Sequence, residues 1–209
     1  QLDAELGNAR NAGAKGIILD LRNNGGGWVQ SAQEMVGRFV DPARGPALLE
    51  DKANGAQARA LLYTPTPMPK VATGTPTVIA PTPTTFVLNV TNPKKDPIIG
   101  PANGGATYYD LPLVVLINGG TASASEIVVG ALHDYARAPF VGTTTFGKGS
   151  IQAVHEFKDG SSARITIAQW LTPNGRVIQK QGLRPDIVVE NPEGGEDVQL
   201  ARAIEVLKK

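Results

Sequence analysis

Two stretches of this chain repeat one arrangement: a short unbroken apolar run, a glycine-bearing loop, then apolar residues at helical spacing. "GIILDL" (Gly16–Leu21) leads through "RNNGGG" (Arg22–Gly27) into "WVQSAQEMVGRFVD", where Val29, Ala32, Met35, Val36, Phe39 and Val40 share a face. "LPLVVLI" (Leu111–Ile117) leads through "NGGTAS" into "ASEIVVGALHDYARA", with Ile127, Val128, Ala131, Leu132 and Tyr135 on one side. An apolar run that does not alternate is the pattern of a strand buried on both faces, which requires helices above and below the sheet. The chain is therefore read as α/β, built of strand–helix units around a largely buried sheet.

Further elements extend this frame. "PFVGT" reads as a third short strand, and "SIQAVHEF" and "SARITIAQWLT" as strands able to pair with each other. "EDVQLARAIEVLKK" is an amphipathic helix with Leu200, Ala203, Ile204 and Leu207 on one side. Between the two units, residues 42–110 change character and become rich in proline and threonine. Proline at that density forbids helix and disfavours central strands. The expected organisation is one core in two parts, residues 1–41 and 111–209, with residues 42–110 as an insertion or cap. The chain opens inside a helix that feeds a strand, as the interior of a longer protein would.

Composition removes several function classes. A formal net charge of +1 gives no basic excess for nucleic acid, and 5% aromatic residues give no base-stacking surface. No apolar run approaches the roughly 20 residues of a membrane span. The absence of cysteine excludes disulfides, thiol nucleophiles and cysteine-ligated zinc together.

"GTTTFGKGS" (Gly142–Ser150) matches the GxxxxGK of a phosphate-binding loop. Such a loop needs a serine or threonine directly after its lysine, and it must open a helix. Here Gly149 follows Lys148, and the next segment reads as a strand. The nucleotide reading fails on both counts. Exposed backbone amides in "NNGGG" could equally form an anion nest or a plain turn.

"TASASE" (Thr121–Glu126) lies between a buried strand and a helix. A serine there has the setting of a nucleophile elbow, with an exposed hydroxyl beside an amide at a helix start. Ser123 and Glu126 also carry the spacing of a capping box, in which Ser123 only caps the helix, and from six residues the cap is the more ordinary reading. A serine nucleophile needs a base. His133 lies ten residues into the helix and His155 on a probable strand; neither is offered by position. Lys148 is the other candidate, flanked by glycines, preceded by Phe146, and with no acid following until Glu156. A lysine is a base only when neutral, against an ordinary pKa of about 10.4; apolar surroundings and the lack of a carboxylate partner favour the neutral amine. In an extended stretch Gln152 shares a face with Lys148 and can orient the amine without recharging it.

The set "GIILDLRNNGGG", "LVVLINGGTASASEI", "VGTTTFGKGSIQ", "LTPNGRVIQKQGLRPDIVVE" and "DVQLARAIEVL", in this order, resembles the carboxyl-terminal processing (tail-specific) serine peptidases. The resemblance covers most of the chain outside residues 42–110. It implies a crotonase/ClpP-like core, with Ser123 as nucleophile, Lys148 as general base and Gln152 orienting it. The backbone N–H of Ala124 is implied as one oxyanion donor, and Gly27, or the adjacent Gly26, as the second. It further implies an extracytoplasmic (periplasmic or cell-envelope) endopeptidase that needs no metal or nucleotide. Its substrates are proteins cut at or near apolar C-terminal tails and recruited by an upstream PDZ domain; self-association is left open. The alternative is a catalytically silent peptide-binding or scaffold domain of the same fold.

Overall fold

The computed structural model describes residues 2–45, 47–52, 59–61, 78–82, 85–89 and 107–209. The proposed insertion or cap at residues 42–110 lies largely outside them.

Both strand–loop–helix units form as the apolar patterns require. Strand β1 (Ile17–Asp20) and a later strand, β6 (Leu113–Ile117), are buried at every residue. They pair side by side in parallel, Ile17 opposite Leu113 and Asp20 opposite Leu116. Helix α1 (Leu2–Asn11) feeds β1, and helices α2 (Val29–Phe39) and α3 (Ala124–Asp134) follow the two glycine loops.

The central sheet has the order β10-β7-β6-β1-β5-β4. Strand β7 (Phe140–Gly142) pairs parallel with β6, and β10 (Ile187–Val188) with β7. On the far side β5 (Thr85–Asn89) pairs parallel with β1, and β4 (Val78–Thr82) closes the edge antiparallel to β5. Two described stretches of the proline-rich region, β4 and β5, thus join this sheet. Proline-free β5 is interior, while β4, which contains Pro81, is outermost, the place in a sheet that tolerates proline.

Leu19, Val115, Ile117, Phe39, Ile127 and Leu132 belong to one buried cluster, on the side packed by α2 and α3. On the other side, α4 (Val198–Leu207) sets Ala203 against Ile18, Val114, Leu116 and Val141, with Leu200, Ile204 and Leu207 packed around. A second, four-stranded sheet has the order β3-β2-β9-β8. It joins β2 (Leu48–Lys52) and β3 (Arg59–Leu61) to a long antiparallel pair, β8 (Ser150–Glu156) and β9 (Ser162–Leu171). The segment after Lys148 is therefore a strand, as its β-branched alternation predicts.

Candidate active site

Three loops meet at the C-terminal ends of adjacent strands. The middle strand, β6, carries the loop to Ser123; β1 on one side carries "RNNGGG", and β7 on the other carries the turn to Lys148. Neighbouring parallel strands deliver their following loops to the same sheet edge, so order in the sheet alone gathers the three.

The first and middle loops are stitched together. Asn23 N–H donates to Asn118 Oδ1 at 2.9 Å, and the Asn118 amide returns a bond to Asn23 Oδ1 at 3.0 Å. Ala122 N–H donates to the Asn24 carbonyl at 2.9 Å. Gly26 is buried at φ +91°, and a Cβ there would lie 2.5 Å from Ala122 O, 2.7 Å from Ala124 N and 2.8 Å from Ser123 Cβ. Only glycine allows that approach.

The amides of this loop are not equivalent. Gly26 N–H is already committed to Asn24 Oδ1 at 3.0 Å. Gly27 is exposed, and its N–H makes no hydrogen bond among the described residues. Ala124 opens α3, and its N–H is likewise unpaired among them. Of the three amides, that of Gly26 is the one already committed.

Ser123 stands at φ +56°, ψ −121°. An ordinary N-cap residue has extended backbone, whereas this conformation costs a non-glycine residue about 1–3 kcal/mol. Ser123 N–H donates to Glu126 Oε2 at 2.9 Å, closing the carboxylate arm of a capping box. The Glu126 amide turns back to Ser123 and meets its carbonyl oxygen at 2.8 Å, so the two residues close a capping box. The geometry is that of a strained elbow at the start of the helix.

Glu126 is fully buried and has a second role that its spacing did not announce. Oε1 accepts from Thr145 Oγ1 at 2.6 Å and from Gly147 N–H at 2.7 Å. Oε2 accepts from Lys148 N–H at 2.8 Å as well as from Ser123 N–H. One carboxylate oxygen thus holds the amides of Ser123 and Lys148, so the two nitrogens are no farther apart than those two bonds laid end to end. Ser-x-x-Glu reads locally as a cap; bonds to residues 19 to 22 positions downstream leave no mark in it.

The lysine loop is fixed from several directions. Gly147 has φ +87°, and a Cβ there would meet Gly182 N at 2.8 Å and Ile178 O at 3.0 Å. Phe146 N–H donates to Thr121 O at 3.0 Å, and Trp170 Nε1 donates to the Lys148 carbonyl at 3.1 Å. Lys148 is half-buried and has no ion-pair partner among the described residues. Gln152 is exposed on β8, opposite Thr166, and makes no hydrogen bond to Lys148 among them.

The histidines stand apart from this constellation. His133, at the far end of α3, stacks against Phe140 and bonds Arg176 at 3.1 Å, while His155 lies edge-on to Phe157. Close to the site, Arg22 bridges Asp20 and Asp197 with bonds of 2.7–3.0 Å, tying the start of the glycine loop to the N-cap of α4. Burial opposes the charge on Arg22, but the hydrogen bonds to Asp20 and Asp197 outweigh it and raise its pKa. Burial would raise the Asp197 carboxyl too; bonds from Arg22, the Leu200 amide and Asn191 instead bring it to about 2.

Comparison with known proteins agrees over nearly the whole chain. Residues 1–189 match peptidase family S41. The carboxy-terminal processing protease CtpA of Bacillus subtilis (strain 168) is 34% identical over 181 residues, covering 87% of this chain and 30% of the relative. A probable CtpA-like serine protease of Staphylococcus aureus (strain COL) is 34% identical over 185 residues, covering 88% of this chain and 29% of the relative. Among solved structures, a photosystem II D1 C-terminal processing protease superposes with a TM-score of 0.64 at 30% identity, over all of this chain and 42% of its own. A putative S41 protease from Bacteroides fragilis, 16% identical with a TM-score of 0.63, shares the fold. The chain spans about 30% of the length of these curated relatives.

Proposed function

The chain belongs to peptidase family S41, and from that premise we propose that it is the core of a serine endopeptidase working through Ser123 and Lys148. The observation that carries the proposal is the shared carboxylate oxygen of Glu126, which holds the amides of both residues. Lys148 takes the Ser123 hydroxyl proton as Oγ attacks the scissile carbonyl carbon. The N–H groups of Ala124 and Gly27 stabilise the oxyanion that forms. As the intermediate collapses, the C–N bond breaks and Lys148 returns its proton to the leaving amine. A water molecule, deprotonated by Lys148, then attacks the acyl-serine; the new carboxyl terminus departs and Ser123 regains its proton. Gln152 orients the lysine in this reading.

The substrates are proteins cut at or near apolar C-terminal tails. An extracytoplasmic setting and an upstream PDZ domain that delivers those tails belong to the same proposal. Among the described residues no helix is long and apolar enough to cross a membrane. In the whole protein, Ser123→Ala and Lys148→Ala are each expected to abolish cleavage of an internally quenched peptide with an apolar tail. A fluorophosphonate is expected to label wild type and not Ser123→Ala. Cleavage persisting in either variant would overturn the Ser123 and Lys148 mechanism, whereas wild type that neither cleaves nor is labelled would count for a silent peptide-binding domain of the same fold.

A further inference from the structure

Two large aromatic side chains stand open to solvent beside the serine, and nothing in the fold requires them. Trp28 is 63% exposed and Phe146 64%, the highest values among large hydrophobic side chains of the described residues. Their placement follows from sheet order. With β6 between β1 and β7, the Ser123 loop is flanked on one side by the loop ending in Trp28 and on the other by the loop bearing Phe146. Both backbones are anchored at the serine. Gly26, two residues before Trp28, lies against Ala122–Ala124, and the Phe146 amide is bonded to Thr121 O.

Local stability favours other residues at both places. Trp28 is the N-cap of α2 and makes no side-chain cap bond, where serine, aspartate or asparagine would satisfy a helix amide. Phe146 sits in a turn whose neighbours Thr145 and Gly147 are held by Glu126, while its own ring stays in water. An aromatic ring kept exposed against local preference, twice and on both loops that flank the Ser123 loop, is the mark of a binding surface. Flat rings with two rotatable bonds take up aliphatic side chains at low entropic cost.

We propose that Trp28 and Phe146 are the two walls of the substrate groove, and that they receive the apolar side chains flanking the scissile bond of an extended polypeptide. This rests on Ser123 being the nucleophile. The occupant is substrate rather than a second copy of the chain because both rings rise directly from the loops that bear the free Gly27 amide and Lys148.

The test compares the whole wild-type protein with Trp28→Ser, Phe146→Ser and Trp28→Phe. Trp28→Ser also supplies a better helix cap, so a loss there is not a folding loss. Each is assayed on one internally quenched apolar-tailed peptide and on a version with aspartate at the two residues flanking the cleaved bond. Fluorophosphonate labelling of Ser123 is followed in parallel. Each serine variant is expected to lower the kcat/KM preference for the apolar peptide by about tenfold or more, while Ser123 is still labelled and Trp28→Phe keeps most of the preference. Unchanged preference in both serine variants, with Ser123 labelled, overturns the proposal. Wild type that is not labelled overturns the serine assignment, and this proposal with it. If wild type sediments as a dimer and Phe146→Ser as a monomer with its preference intact, the rings serve contact between copies and the proposal fails.

Discussion

The two strand–loop–helix units share a layout and differ in where they place their strained backbone. After β1, positive φ falls on Asn23 and Gly26, residue types that tolerate it. After β6 it falls on Ser123, which does not tolerate it cheaply. The helices differ in the same sense, for each buries one glutamate. Glu126 on α3 receives four hydrogen bonds and keeps the strained serine in place. Glu34 on α2 is buried without comparable provision: burial pushes its carboxyl up to about 7, against the opposing pull of Arg38 and a bond from Gln30. One unit thus presents an accessible amide on relaxed backbone, and the other a side chain on strained backbone that a buried carboxylate stabilises.

The sharpest way to break this pairing is to fill the gap between the loops. Gly26→Ala sets a methyl group against Ala122 O, Ala124 N and Ser123 Cβ at positive φ. A loss of roughly 2–5 kcal/mol in denaturant unfolding is expected, with activity lost as well. Gly25→Ala, whose Cβ meets nothing within 4 Å, is expected to change stability by no more than about 0.5 kcal/mol. Equal losses in the two variants would contradict the close approach described here.

Glu126→Gln keeps the shape but turns an NH2 toward amide donors. It is expected to cost about 2–3 kcal/mol and to slow fluorophosphonate labelling about 100-fold through misplacement of the serine and lysine loops. Labelling at the wild-type rate would reduce Glu126 to an ordinary helix cap.

Ser123→Gly and Ser123→Ala are both expected to be inactive, yet they differ in stability. Glycine relieves the φ +56° backbone, so Ser123→Gly is expected to exceed Ser123→Ala by about 1 kcal/mol, read as a higher Tm. Equal melting would mean that the elbow stores no strain.

The remaining expectation concerns the pH dependence set by Glu34. Its folded pKa of about 7 lies above the ordinary carboxyl value of 4.5, so between these pH values the folded state holds a proton that the unfolded state has released. Its contribution is full below about pH 4.5 and is lost as pH rises toward 7. Glu34→Gln is expected to flatten that part of the stability–pH curve. Unfolding curves of wild type and variant that run parallel from pH 4.5 to 7 would contradict the shift.

Much of the framework could be read directly from the chain. Unbroken apolar runs such as "IILD" and "LVVLI" specify buried strands because burial on two faces is written locally, and the 3.6-residue periodicity of α2, α3 and α4 is equally local. Lys148 could be taken off the phosphate-loop reading by its neighbours alone, since Gly149 cannot hold a magnesium ion and "SIQAVHE" cannot open a helix. What only the tertiary structure decided are relations across distance. Sheet order set the Ser123 loop between the other two, and the buried Glu126 carboxylate joined residues 123 and 148. The Asn24 side chain took the Gly26 amide and left that of Gly27 free. Periodicity and spacing describe a residue's neighbours in the chain, whereas a buried charge must find its hydrogen bonds wherever packing brings them.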